Sequence, residues 1–183
     1  MRVLDKRLKV SRRGVLGAGA ASAVAMSVLP SGMITGQGDA WAAMASHLKP
    51  ESFATLVQMC RDIYPHDRVA DKYYAKVVEG FDAAAGKSND DQALFENGVI
   101  GLDAAAQGAH GASYNDVGWE SQRVALLRGM EKSGFFQKVR GALVVGLYNN
   151  QELWPLFGYE GESASKGGYL TRGFDDIDWL DKV

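Results

Sequence analysis

Between residues 49 and 157 the large apolar residues recur at helical spacing, and no alternating run long enough for a strand appears. Side chains three and four apart share one helix face, whereas a half-buried strand needs a period of two, so this periodicity predicts helices throughout. Lys49-Pro50-Glu51 opens the first stripe, since proline fits the first helical turn and an acid suits its positive end. Phe53, Leu56, Val57, Cys60, Ile63 and Tyr64 follow, and Pro65 stops the helix. Asp71 is predicted to cap a second helix with Tyr74, Val77, Val78, Phe81 and Ala85 on its stripe and Gly86 at its end. Ser88-Asn89-Asp90-Asp91 caps a third, marked by Phe95, Val99, Leu102 and Ala106 and weakened by Gly98 and Gly101. Residues 107–118 carry the turn-forming composition of a loop. Asp116 and Ser121 compete as the cap of a fourth helix reaching Met130. Ser133-Gly134 separates it from a fifth, Phe135 to Tyr148, the most apolar and therefore expected at the centre, with Val144 and Val145 widening its buried face. Asn149-Asn150 caps a short sixth turn ending at Phe157. The expected fold is all-α: a single domain of five to six short helices, followed by an extended aromatic and glycine-rich C-terminal tail.

The start of the chain follows a different rule. Arg2, Lys6, Arg7, Lys9, Arg12 and Arg13 face a single acid, Asp5, and the adjacent pair Arg12-Arg13 stands directly before an apolar run from Val15 to Leu29. Gly17, Gly19 and Pro30 interrupt that run, and a membrane span needs about twenty apolar residues. The pattern is that of a twin-arginine export signal, with small-x-small cleavage motifs at Ala40-Trp41-Ala42 and Ala43-Met44-Ala45. The expected division is a signal peptide at 1–43, a helical domain at 44–158 and a partner-binding tail at 159–183, with the mature protein in the periplasm. The twin-arginine route carries proteins already folded, often with a cofactor inserted or a partner attached.

Charge and cysteine content remove several function classes. Residues 1–42 hold six of the 20 Lys+Arg and two of the 22 Asp+Glu, which leaves 14 basic against 20 acidic residues and a net charge of −6. Nucleic-acid binding needs clustered cations, so no nucleic-acid partner is expected. Cys60 is the sole cysteine and holds neither an internal disulfide nor an iron–sulfur cluster. Its place on the first stripe favours a buried small hydrophobe, with an intersubunit disulfide as the sharper alternative.

Catalytic patterns are weak. His47, His66 and His110 share no metal-ligand spacing. His66 beside Asp67, after Tyr64-Pro65, reads first as a structural corner and second as a proton-transfer pair. Asp175, Asp176 and Asp178 read as solvated or partner-facing acids before they read as a cation site. Trp154, Phe157 and Tyr159, then Tyr169, Phe174 and Trp179, place large aromatics among glycines and acids, where interface anchors are the natural use.

The segment Asn149-Asn150-Gln151-Glu152-Leu153-Trp154-Pro155-Leu156-Phe157-Gly158-Tyr159-Glu160-Gly161-Glu162-Ser163, with Lys166-Gly167-Gly168-Tyr169 behind it, resembles the C-terminal signature of the gluconate 2-dehydrogenase subunit 3 family. The Ile63-Tyr64-Pro65-His66-Asp67 helix ending and the twin-arginine leader fit as well. The resemblance covers the mature chain well at both ends and loosely in the middle. It implies a non-catalytic small subunit without a cofactor of its own. Its partner would be a large flavoprotein dehydrogenase of the glucose–methanol–choline type carrying FAD, with a cytochrome subunit carrying haem c as a further member. The small subunit would bear the export signal for the folded pair and present it to the twin-arginine translocase. Two alternatives stay open: a stand-alone periplasmic helical enzyme or metal binder using His66 and Asp67, and a small-ligand binding module.

Overall fold

The computed structural model describes residue 41 and residues 43–170. Arg12, Arg13, most of the leader, and the tail residues Phe174, Asp175, Asp176, Asp178 and Trp179 lie outside the described residues. The described part is all-α, with five helices: α1 (Pro50–Ile63), α2 (Asp71–Ala85), α3 (Asn89–His110), α4 (Glu120–Gly129) and α5 (Gly134–Tyr148). Short 3-10 turns follow at Tyr114–Asp116, Trp154–Phe157 and Ala164–Lys166. Among the described residues no helix is long and apolar enough to cross a membrane.

The central helix is α1, not α5 as its composition suggested. α1 and α3 each pack against the other four helices, and α1 is the more deeply buried of the two. Phe53, Leu56, Met59 and Cys60 are fully buried, and Ser52, Thr55 and Asp62 are buried with them. Burying each of the large side chains contributes about 1.5–3 kcal/mol. α5 uses only Phe135, Val139, Leu143 and Leu147 inward, while Val144 and Val145 face out at 44% and 62% exposure. Mean apolarity thus misassigned the centre, because α5 is apolar on its outer face as well.

Helix termini were placed well where a hydroxyl does the capping. Ser88 Oγ accepts the Asp91 N–H at 3.2 Å and Ser133 Oγ accepts the Phe136 N–H at 3.2 Å. The acidic caps were misplaced. Asp71 is the first helical residue of α2, behind N-cap Ala70, and its carboxylate takes the Arg61 guanidinium at 2.6 Å. Neither Asp116 nor Ser121 caps α4, whose N-cap is Trp119; Asp116 instead accepts the Ser113 hydroxyl at 2.6 Å. α3 runs past the expected loop start at Gln107 to His110, where a left-handed Gly111 (φ 71°) ends it.

Three carboxylates hold the chain in register. Asp82 on α2 accepts the backbone N–H groups of Leu48 (2.8 Å), His47 (2.9 Å) and Ser46 (3.2 Å), which fixes the entrance to the domain. Glu96 on α3 accepts the Lys49 N–H at 2.7 Å and the Ser52 hydroxyl at 2.8 Å, capping α1 from a neighbouring helix. Asp62, buried near the end of α1, accepts the Tyr114 hydroxyl at 2.7 Å and the Arg123 guanidinium at 2.7 and 3.0 Å. Arg123 also donates to the Val117 carbonyl at 2.7 Å, so the loop and α4 are tied to α1 through one cation. Removing one partner of such a buried pair costs about 3–5 kcal/mol.

The glycines read as weak points in α3 have different roles. A Cβ at Gly98 would fall inside the contact radius of the Phe135 ring, whereas nothing lies within 4 Å of one at Gly101. Gly98→Ala therefore destabilises by about 1–3 kcal/mol through overpacking, and Gly101→Ala stabilises by about 0.5–1 kcal/mol through helix propensity; urea unfolding midpoints check the opposite signs. Asp82 generates the second expectation. Burial pushes its carboxyl up, but the Leu48, His47 and Ser46 N–H groups outweigh this and the net shift is downward. A carboxylate lowered in the folded state stabilises fully above its ordinary value of about 3.9 and loses that contribution as pH falls through the lower folded value. Wild type should exceed Asp82→Asn by about 2 kcal/mol at pH 6, and the gap should close on acidification below about pH 4, as read by thermal melting.

Candidate functional site

The corner after α1 is built by the residues that the sequence singled out. Pro65 ends the helix, and the Tyr74 hydroxyl fills the gap it leaves, donating to the Tyr64 carbonyl at 2.7 Å and accepting the His66 N–H at 3.3 Å. Burial pushes the Tyr74 hydroxyl above its ordinary pKa and keeps it a donor. His66 does not pair with Asp67. Its Nε2 lies 2.8 Å from the Tyr148 hydroxyl at the end of α5, and Asp67 is exposed with no hydrogen bond among the described residues. The Tyr148 hydroxyl is also shifted upward, by burial and then by Tyr64.

Four rings enclose this contact. Tyr148 meets Tyr64 edge-on at 5.8 Å and His66 edge-on at 5.7 Å, and Phe157 lies 5.0 Å from His66 and 5.2 Å from Tyr148. Edge-to-face pairs at these separations add about 0.5–1.5 kcal/mol each beyond their area. The corner thus joins α1, α5 and the 3-10 turn through Tyr64 and His66, and Asp67 takes no part in it. A shallow hollow of about 320 Å³ opens beside it between Pro65, His66, Asp67, Arg68 and Phe157. The imidazole has the Tyr148 phenol as its hydrogen-bond partner and is not bonded to Asp67.

The aromatics expected at an interface divide in two. Phe157 packs against the core, while Trp154 is half-buried, its indole N–H donating to the Tyr148 carbonyl at 2.9 Å and its ring edge-on to Tyr159 at 5.0 Å. Tyr159 and Tyr169 point outward at 50% and 73% exposure. Phe174 and Trp179 lie outside the described residues. Residues 159–170 are coiled rather than extended, with the Gly168 N–H donating to the Ser163 carbonyl at 2.7 Å and Lys166 bonded to the Glu160 carbonyl.

At the end of α5 the structure exposes residues that helical spacing had assigned inward or left aside. Val144, Val145, Tyr148 and Leu156 are exposed around the C-terminal end of α5. The patch continues into a groove of about 420 Å³ between α2 and α5, lined by Val77, Phe81, Ala142 and Val145. Val77 sits against Gly146, where an added Cβ would meet it at 2.5 Å, so the two helices run close beneath the patch. Helical spacing identifies which residues share a face. It does not identify which of two apolar faces the neighbouring helices cover.

Cys60 corrects one alternative. It is fully buried on α1, and burial pushes its thiol far above the ordinary range. A bond to a second chain would need α1 to open, so the intersubunit disulfide is not available to the folded domain. A thiol-reactive disulfide reagent should label Cys60 only at the rate of global unfolding and rapidly in denaturant, as followed by absorbance.

Comparison of the chain with protein-family models, with curated proteins and with solved structures gives no match.

Proposed function

We propose that this chain is the small, non-catalytic subunit and export escort of a periplasmic flavoprotein dehydrogenase of the glucose–methanol–choline type. The observation that carries the reading is the run of exposed apolar side chains at and just beyond the C-terminal end of α5, Val144, Val145, Tyr148, Leu156 and Tyr159. Exposed apolar surface gathered in one region is a mark of a protein-binding face. Obligate partners bury more than about 2,000 Å² of largely apolar surface, and the groove between α2 and α5 extends the patch in that direction. Tyr169, Phe174 and Trp179 supply further anchors from the tail.

In this reading Arg12 and Arg13 engage the twin-arginine translocase for both chains. The large subunit contributes the FAD, the substrate site and the chemistry. A cytochrome subunit with haem c completes the electron path. The substrate class, a sugar or an alcohol, is decided by the large subunit.

The test is a pull-down of the tagged chain from its native cells, with a flavin absorbance scan and mass spectrometry of what accompanies it. A yellow, near-stoichiometric partner of dehydrogenase size is expected; a colourless, solitary chain sinks the proposal. Val145→Asp combined with Tyr159→Asp should reduce the recovered flavoprotein at least about tenfold. The thermal midpoint of the chain itself should stay within about 3 °C, since both positions are exposed. Arg12→Lys with Arg13→Lys should leave both proteins in the cytoplasm.

A further inference from the structure

Of the two small-x-small motifs, the second, Ala43-Met44-Ala45, would be cut at the Ala45–Ser46 bond. That bond belongs to the folded domain. The Ser46 N–H, the amide of the bond itself, donates to both oxygens of Asp82 at 3.2 Å. The His47 and Leu48 N–H groups donate to the same carboxylate at 2.9 and 2.8 Å, and the Lys49 N–H donates to Glu96 at 2.7 Å. The His47 carbonyl in turn accepts the Gln92 amide at 2.8 Å. Side chains add to the hold. Leu48 is buried in the core, and Trp41 and Ala45 pack against it half-buried.

A protease takes its substrate as an extended strand, with main-chain hydrogen bonds along the cleft and alternate side chains in pockets. A small-x-small motif is read that way, because the residues one and three places before the cut point to the same side of a strand. Here Ala43 and Met44 lie in a turn, with the Met44 N–H donating to the Trp41 carbonyl at 3.0 Å. The main-chain donors just after the bond are taken by Asp82. Cutting therefore requires the segment to be peeled from α2 and Leu48 to be drawn out of the core. Asp82 resists this from its own side. It is only 6% exposed, and withdrawing the three donors strips its charge of the hydrogen bonds that offset burial.

We propose that Asp82 is a processing lock: in the folded chain its carboxylate closes the Ala45–Ser46 bond to a leader peptidase, so that Ala43-Met44-Ala45 is silent and any export processing falls N-terminal to Met44. The biological meaning of the lock rests on the export reading, in which the chain meets the peptidase already folded. The protection of the bond belongs to the domain alone.

Elastase, which cuts after small residues, probes the bond in the full chain, with a synthetic peptide of residues 36–50 as the unfolded reference and mass spectrometry to map the cuts. Cleavage after Ala45 should be at least about a hundredfold slower in the folded chain than in the peptide, because the rate follows the population of the opened segment. Asp82→Asn should speed it at least about tenfold. Gly98→Ala lowers global stability at a contact between α3 and α5, and it should leave the rate within about twofold, since the opening is local. Circular dichroism confirms that both variants remain folded. Equal rates in chain and peptide, a peptide that is itself not cut after Ala45, or an equal effect of the two substitutions would each overturn the proposal. Chain recovered from the periplasm of its native cells should begin at Ala43 or earlier, and a chain beginning at Ser46 overturns the proposal as well. Failure of the export reading shows separately, as a chain that stays in the cytoplasm while the elastase rates are unchanged.

Discussion

The buried carboxylate of Asp62 is the contact on which the arrangement of the helices depends. An ionised group near the end of the central helix is costly to bury alone and is tolerated when its oxygens are filled. Here Tyr114, Arg123 and the Gln58 amide (3.1 Å) fill them. Burial and then Asp62 itself push the Tyr114 hydroxyl far above its ordinary value, and the bond to Asp62 is the first cause of the upward shift of Arg123. Tyr114 is thus held as a neutral donor and Arg123 as a cation. The consequence is geometric: the loop after α3 and the start of α4 are fastened to α1.

Packing at the other end rests on small residues rather than charge. Gly98 admits the Phe135 ring and Gly146 admits Val77, so α5 lies close to both α3 and α2. That close approach buries one side of α5 and turns Val144 and Val145 out. The apolar patch is therefore a product of helix crossing, and it sits beside the ring cluster of Tyr64, His66, Tyr148 and Phe157 that anchors the start of the tail. In the proposed escort reading, a stiff corner next to an exposed apolar face leaves little ordering to be done on binding.

Polar geometry shows which partner His66 takes. A histidine beside an aspartate in sequence implies no hydrogen bond between them, because adjacent side chains at a turn point in different directions. The hydrogen bond that forms spans 82 residues to Tyr148. Long-range pairs of this kind leave no local pattern. Asp62, Tyr114 and Arg123 were invisible for the same reason: an aspartate, a tyrosine and an arginine at unrelated positions look like ordinary surface and loop residues. Asp82 and Glu96 escaped notice because each caps a segment from another helix.

The sequence by itself determined the helical class, the inward stripes of α1 to α3, the Ser88 cap and the helix stop at Pro65. Each depends on residues within one or two turns of one another, where spacing and backbone chemistry act directly. It also determined the net acidity, the solitary cysteine and the basic N-terminal stretch. Only the tertiary structure decided that α1 is central, that α5 shows an apolar face to solvent, that His66 bonds Tyr148, and that Asp82 holds the chain entering α1. Those outcomes depend on which faces neighbouring helices cover, a matter of crossing angle and small-residue contact between distant segments.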